Sequence, residues 1–169
     1  MDVTRLSGQY AVRRLQEDDI PAVFALCREN TVFYQHAPPP ATPEIIRRDM
    51  QALPPERSKD DKYYLGFFDE TALIAVLDVI VGYPDAETVF LGFFMLDISR
   101  QGQGIGSAII QELCGEWRRQ GYRKAMLGWA KDNRQAEKFW HKNGFIPTGV
   151  TDKRSNDCPV VLAEKALRT

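Results

Sequence analysis

Gln101-Gly102-Gln103-Gly104-Ile105-Gly106-Ser107 separates a strand-like stretch, Thr88–Leu96, from a helical one, Gly104–Gln120. Three glycines at alternate positions let the backbone approach a ligand with no side chain in the way. A helix opening there aims free N–H groups and the positive end of its dipole at one point, which makes an anion site suited to a phosphate. The nucleotide P-loop, GxxxxGK[ST], is excluded because no Gly-Lys-Ser/Thr follows. The dinucleotide fingerprint, GxGxxG, is also missed: Gly102 and Gly104 are followed by Ser107 where the third glycine belongs.

The flanking elements follow from periodicity. After the loop, Ile105, Ile109, Leu113 and Trp117 recur every fourth residue, with Ile110 and Cys114 beside them, and Gly121 is placed to stop the helix. A strand over Lys124–Ala130, a helix over Asn133–Asn143 and strands over Phe145–Val150 and Pro159–Lys165 complete that half. Before the loop, Tyr63–Phe68, Ala72–Val81 and Thr88–Leu96 read as three strands with tight turns. The middle one is nearly all apolar apart from Asp78, as for a strand buried on both faces. The N-terminal third reads as a strand over Gln9–Leu15, a helix over Asp19–Glu29, a proline-rich loop over Ala37–Pro43 and a helix ending near Leu53. This order argues for a mixed α/β sheet flanked by helices and against the strict alternation of a Rossmann domain.

Two motifs, in order, carry a resemblance. Gln101, Gly104 and Gly106 satisfy Q/R-x-x-G-x-G/A, and Asn133, Ala136, Phe139, Trp140, Gly144 and Phe145 are similar to N-x-x-A-x-x-F-Y-x-x-x-G-F. Together they resemble the GNAT family of N-acetyltransferases, which bind acetyl-coenzyme A. The resemblance implies the family's splayed mixed sheet in one domain over residues 1–169. It also implies transfer of an acetyl group to a primary amine by direct attack on the thioester. Gln101, Gly102, Gln103, Gly104, Ile105, Gly106 and Ser107 would then form the pyrophosphate loop. Phe94, Met95 and Leu96 would run beside the pantetheine arm as if it were another strand, Asn133 would contact the same arm, and Trp140 would pack against the cofactor.

The catalytic residues stay unassigned, because the chain departs from the family there. Trp140 stands where the usual acid is a tyrosine, and Phe90 and Gly128 stand where some members carry a glutamate base. His141 lies about 100° around the helix from Trp140, which suits a surface position. Tyr34, Tyr83, Glu87 and Asp97 are candidate proton carriers through water, and none of them is assigned. The amine, a small molecule or a peptide, would meet the chain around Asn30–Pro43, with Tyr34 and His36 as lining. A coenzyme-A-binding module without turnover and a nucleotide-binding domain are the rival readings.

Composition sets the outer limits. The 169 residues carry 22 Lys+Arg against 23 Asp+Glu, a net charge of −1 that argues against a uniformly basic nucleic-acid binder. Ile98–Lys142 nevertheless holds nine Lys/Arg against four Asp/Glu, a net +5 against −6 for the remainder, which suits a polyphosphorylated cofactor. No apolar run reaches the ~20 residues of a membrane span, and the N-terminus lacks a secretory layout, so a cytoplasmic location is expected. Cys27, Cys114 and Cys158 form no disulfide or metal pattern, so no metal is expected. A second copy of the chain is a partner option alongside the amine.

Overall fold

A computed structural model describes residues 1–152 and 159–167, leaving Cys158 outside the described residues. The elements are β1 (Ala11–Arg14), α1 (Ile20–Arg28), α2 (Thr31–His36), α3 (Pro43–Asp49), β2 (Lys62–Asp69), β3 (Ala72–Val81), β4 (Thr88–Leu96), α4 (Ile105–Arg119), β5 (Lys124–Ala130), α5 (Arg134–Lys142), β6 (Ile146–Asp152) and β7 (Val160–Ala166). Among the described residues seven strands form one sheet, in the order β1-β2-β3-β4-β5-β7-β6. Within it only β4 and β5 pair in parallel; every other neighbour is antiparallel. The mixed α/β architecture with helices on its faces is the one expected from the element order.

Two apolar layers flank the sheet. One face packs on α4, whose Ile109, Ile110, Leu113, Cys114 and Trp117 are buried against Leu65, Phe67, Leu77 and Val79. The other packs on α1 and α3, where Val23, Leu26, Cys27 and Ile46 meet Tyr64, Val76 and Met95. Along β3 the sides alternate with a period of two, so Leu77 and Val79 face α4 while Val76 faces α1. Asp78 shares the side of Val76. A charge thus sits on a strand otherwise buried from Ile74 to Val81.

The observed bounds differ from the sequence expectations mainly in the N-terminal third. β1 is shorter, and α3 ends at Asp49, about one turn before the expected stop. A short helix, α2, occupies part of the connection read from the sequence only as a link before the proline loop. None of its six residues is fully buried, so it leaves no apolar stripe to detect. It is held from outside: Asn30, just before it, donates from Nδ2 to the Leu26 carbonyl at 3.0 Å and to the Leu96 carbonyl at 3.3 Å.

Candidate active site

The site is built where β4 and β5 part. Their pairing runs from Thr88↔Lys124 to Leu91↔Leu127 and stops. Beyond it β4 continues to Leu96 paired with β3 alone, and β5 continues to Ala130 paired with β7 alone. The divergence is marked by a bulge: Asp78 pairs with Phe93 and Val79 with Leu91, so Gly92 has no partner on β3. The result is a cleft of about 350 Å³, walled by Phe90–Phe94 of β4, Leu127–Ala130 of β5, and Asn133, Ala136 and Trp140 around α5. One edge of β4 is left without a neighbouring strand there, able to hydrogen-bond an extended ligand.

The glycine loop lies at the end of β4. Gly102 and Gly104 hold φ of +74° and +81°, the left-handed region that glycine enters without penalty. A Cβ on Gly104 would meet nothing within 4 Å, so the space in front of it is open. The Ala108 N–H donates to the Gly104 carbonyl at 3.0 Å, so the N–H groups of Ile105, Gly106 and Ser107 precede the first helical bond and face out of the end of α4. Gly106 lets α5 approach, since a Cβ there would lie 3.3 Å from the Phe139 ring.

The side chains of the loop brace it instead of facing open space. Gln101 donates from Nε2 to Asn30 Oδ1 at 2.7 Å and to the Leu96 carbonyl at 3.0 Å, tying the loop to α1 and β4. Gln103 donates to the Ser99 carbonyl at 2.9 Å, and Ser107 Oγ accepts from Asn143 Nδ2 at 3.2 Å. Ile105 packs against the α4-side core. Of the β4 residues, Phe94 lines the cleft, stacked 6.2 Å from Phe139 and edge-on to Trp140. Met95 is buried on the α1 side and Leu96 on the α4 side, so what they can offer a ligand is backbone.

Asn133 and Trp140 both reach the cleft wall. Asn133 caps α5, its Oδ1 accepting from the Ala136 N–H at 3.0 Å. Trp140 is nearly buried among Phe94, Phe139 and Phe145. Gly128 has a packing reason to lack a side chain: a Cβ would fall 2.6 Å from Val160 Cγ1 of β7. Phe90 is edge-on to Tyr83 at 5.6 Å. No acid stands at either position.

The four proton carriers named from sequence do not converge. Glu87 pairs with Arg123 at 3.0 Å, at the closed end of the β4–β5 pair. Asp97 caps the turn after β4 by accepting from the Ser99 N–H at 2.8 Å. Tyr83 lies against Phe90. Tyr34 lines a second cavity, and burial pushes its hydroxyl above the ordinary tyrosine range, which makes it a poor acid. His141 is at the surface, half exposed, 4.0 Å from Glu137. His36 of α2 reaches Asp132, before α5, at 3.2 Å, beside the cleft it lines. No sequence spacing announces that contact.

Sequence reasoning also missed Lys62 and Asp78. Lys62 Nζ donates to Asp78 Oδ2 at 2.9 Å, and the two side chains are only 6% and 14% exposed. The signal was present as a lone acid in an apolar strand, which without a tertiary partner reads only as a break.

A family model of the GNAT acetyltransferases matches residues 21–145, most of the chain and all of the cleft except its β6 and β7 wall. The chain belongs to the GNAT acetyltransferase family. Its fold is shared by an acetyltransferase from Thermus thermophilus at 19% identity, with a TM-score of 0.72 over 94% of this chain and 97% of that one. RimL, the ribosomal L7/L12 alpha-N-protein acetyltransferase, aligns at 22% identity, a TM-score of 0.73 and coverage of 95% and 92%. PaiA N-acetyltransferase from Thermoplasma acidophilum, solved in complex with coenzyme A, gives 19%, 0.62, and coverage of 93% and 98%. No curated protein sequence matches the chain at a significant level. Among the described residues no cluster of metal-ligating side chains occurs, and no helix is long and apolar enough to cross a membrane.

Proposed function

We propose that this protein is an acetyl-coenzyme-A-dependent N-acetyltransferase that acetylates a primary amine by direct attack. The observation that carries the reading is the parting of β4 from β5 immediately before a left-handed glycine loop at a helix start. That arrangement suits a ligand extended at one end and anionic at the other. The loop from Gln101 to Ser107 would receive the pyrophosphate on its N–H groups. The open edge of Phe94, Met95 and Leu96 would pair with the amides of the pantetheine arm, with Asn133 opposite and Trp140 beneath. The carbonyl oxygen gains charge as the amine attacks, and a β4 N–H beside the bulge would be the donor to meet it. Family membership and a neighbour solved with coenzyme A support the same assignment.

A second reading, a coenzyme-A-binding module without turnover, is favoured by Trp140, Phe90 and Gly128 at the positions of the family's acid and base. Thermal-shift assays with coenzyme A, NAD and ATP test the cofactor. Free-thiol release from acetyl-CoA across a panel of amines and peptide N-termini then separates enzyme from module. Stabilisation by ATP or NAD alone overturns both readings; coenzyme A binding without thiol release leaves the module.

A further inference from the structure

Asp78 lies beside the wall that two cavities share. Its register partners are Tyr64 on β2 and Phe93 on β4, and it lines a second cavity of about 370 Å³ between the sheet and the α1–α3 layer. Phe33, Ala37, Pro38, Gly92 and Phe93 belong to the walls of both this cavity and the cofactor cleft. At that shared wall stands the bulge residue Gly92, which is exposed, and a Cβ on it would sit 3.1 Å from Asp78 Oδ2. Gly92 lines both cavities and has no side chain to stand between the carboxylate and the cofactor cleft.

The carboxylate is also incompletely used. Oδ2 accepts from Lys62, whereas Oδ1 is buried with no hydrogen-bond partner among the described residues. Buried polar atoms without a protein partner are rare, and a catalytic role is one of the explanations for them. The family's acid and base positions are meanwhile filled by Trp140, Phe90 and Gly128, so the proton of the amine needs another acceptor.

We propose that Asp78 is the proton acceptor for the attacking amine, a role that rests on the acetyltransferase reading above. The nitrogen lone pair forms a bond to the thioester carbonyl carbon. The C–S bond breaks with its electron pair leaving on the coenzyme A sulfur. The N–H proton passes to the Asp78 carboxylate and from there through the second cavity to water. The groups facing Asp78 define its state. Burial raises its pKa and the nearby Asp49 of α3 raises it further, Lys62 of β2 lowers it, and the balance lies at about 6. Tyr64 of β2 and Cys27 of α1 are themselves pushed up by burial and stay protonated, and Arg48 of α3 lines the same cavity. At neutral pH the carboxylate is therefore ionised yet more basic than an exposed aspartate.

The test follows thiol release from pH 5 to 9, using acetyl-CoA and the fastest acceptor among butylamine, benzylamine, spermidine and trialanine. Wild type is expected to show an acidic limb in kcat/KM near pH 6. Asp78→Asn is expected to lose about 100-fold in kcat/KM and to lose that limb, while calorimetry shows coenzyme A bound as in wild type. Lys62→Met removes the charge that lowers the Asp78 pKa, so the limb moves to higher pH, a shift that a merely structural role would not produce. Gly92→Ala keeps the Lys62–Asp78 pair but covers the carboxylate, and should cost about tenfold or more. It decides the matter together with Lys62→Met if Asp78→Asn fails to fold. Wild-type rates in Asp78→Asn, or an unmoved limb in Lys62→Met with a wild-type rate in Gly92→Ala, overturn the proposal alone. No thiol release by wild type with any acceptor overturns the acetyltransferase reading and this role with it.

Discussion

Gly104 and Gly128 lack side chains for opposite reasons. Gly104 faces open space in a left-handed conformation, so a side chain there strains the backbone by about 1–2 kcal/mol and enters the space the phosphates would fill. Gly104→Ala should weaken coenzyme A binding, and Gly104→Asp should weaken it further by like-charge repulsion. Losing one charge-assisted hydrogen bond costs about 1.5–3 kcal/mol, roughly ten- to a hundredfold in affinity. Both variants should keep the wild-type circular-dichroism spectrum, and calorimetry showing the Asp variant binding as tightly as wild type would remove the loop from the site. Gly128 is closed off by Val160. Gly128→Glu, which restores an acid some family members carry, forces β5 away from β7 and should destabilise by about 1–3 kcal/mol. Melting curves check this, and an unchanged melting temperature would show that β7 yields there at no cost.

At the scale of the element, the residue that caps α5 would couple stability to cofactor binding. Asn133 Oδ1 satisfies the Ala136 N–H, and losing such a cap costs about 1 kcal/mol. Serine caps as well as asparagine but carries no amide. Asn133→Ala should therefore lower both melting temperature and coenzyme A affinity. Asn133→Ser should restore the melting temperature while affinity stays reduced. If Asn133→Ser recovers both, asparagine acts at this position only as a cap. The glycine loop has a comparable dual construction: its N–H groups are free for an anion because Gln101, through Asn30 and Leu96, carries the work of anchoring.

For the whole molecule, activity and stability should part company on acidification. The Asp78 carboxyl titrates at about 6 in the fold against an ordinary 3.8, raised chiefly by burial. A carboxyl raised on folding holds its proton more tightly in the native state, so its ionisation opposes folding above pH 6. That opposition fades as pH falls toward 4. Asp19, held low by the Arg13 hydrogen bond, and Glu116, held low by the Gln120 hydrogen bond, work the other way. Their stabilisation is present above their unfolded values, near 4, and is lost only below them. Between pH 7 and 5 these groups leave the melting temperature level or raise it slightly, while acetyl transfer declines. Melting curves and thiol-release rates on the same samples check this; a melting temperature falling in step with the rate would mean that unfolding removes the activity.

What the sequence determined by itself was whatever neighbouring residues decide. The glycine loop, the α4 stripe ending at Trp117, the helix stop at Gly121 and the motif through Phe145 are legible because turn conformations, helix termination and helical periodicity act over a few positions. Only tertiary structure decided the rest. The parting of β4 from β5, the insertion of β7 between β5 and β6, and the Gly92 bulge depend on pairings between strands remote in the chain. α2 is held by contacts outside itself, and so has no pattern of its own. Asp78 is the sharpest case. The sequence shows an acid interrupting an apolar strand, but Lys62 is 16 positions away, and Gly92 comes to lie beside the carboxylate only through the β3–β4 register. A charge becomes a site when the fold removes water from around it, and that removal is the work of residues far away in the chain.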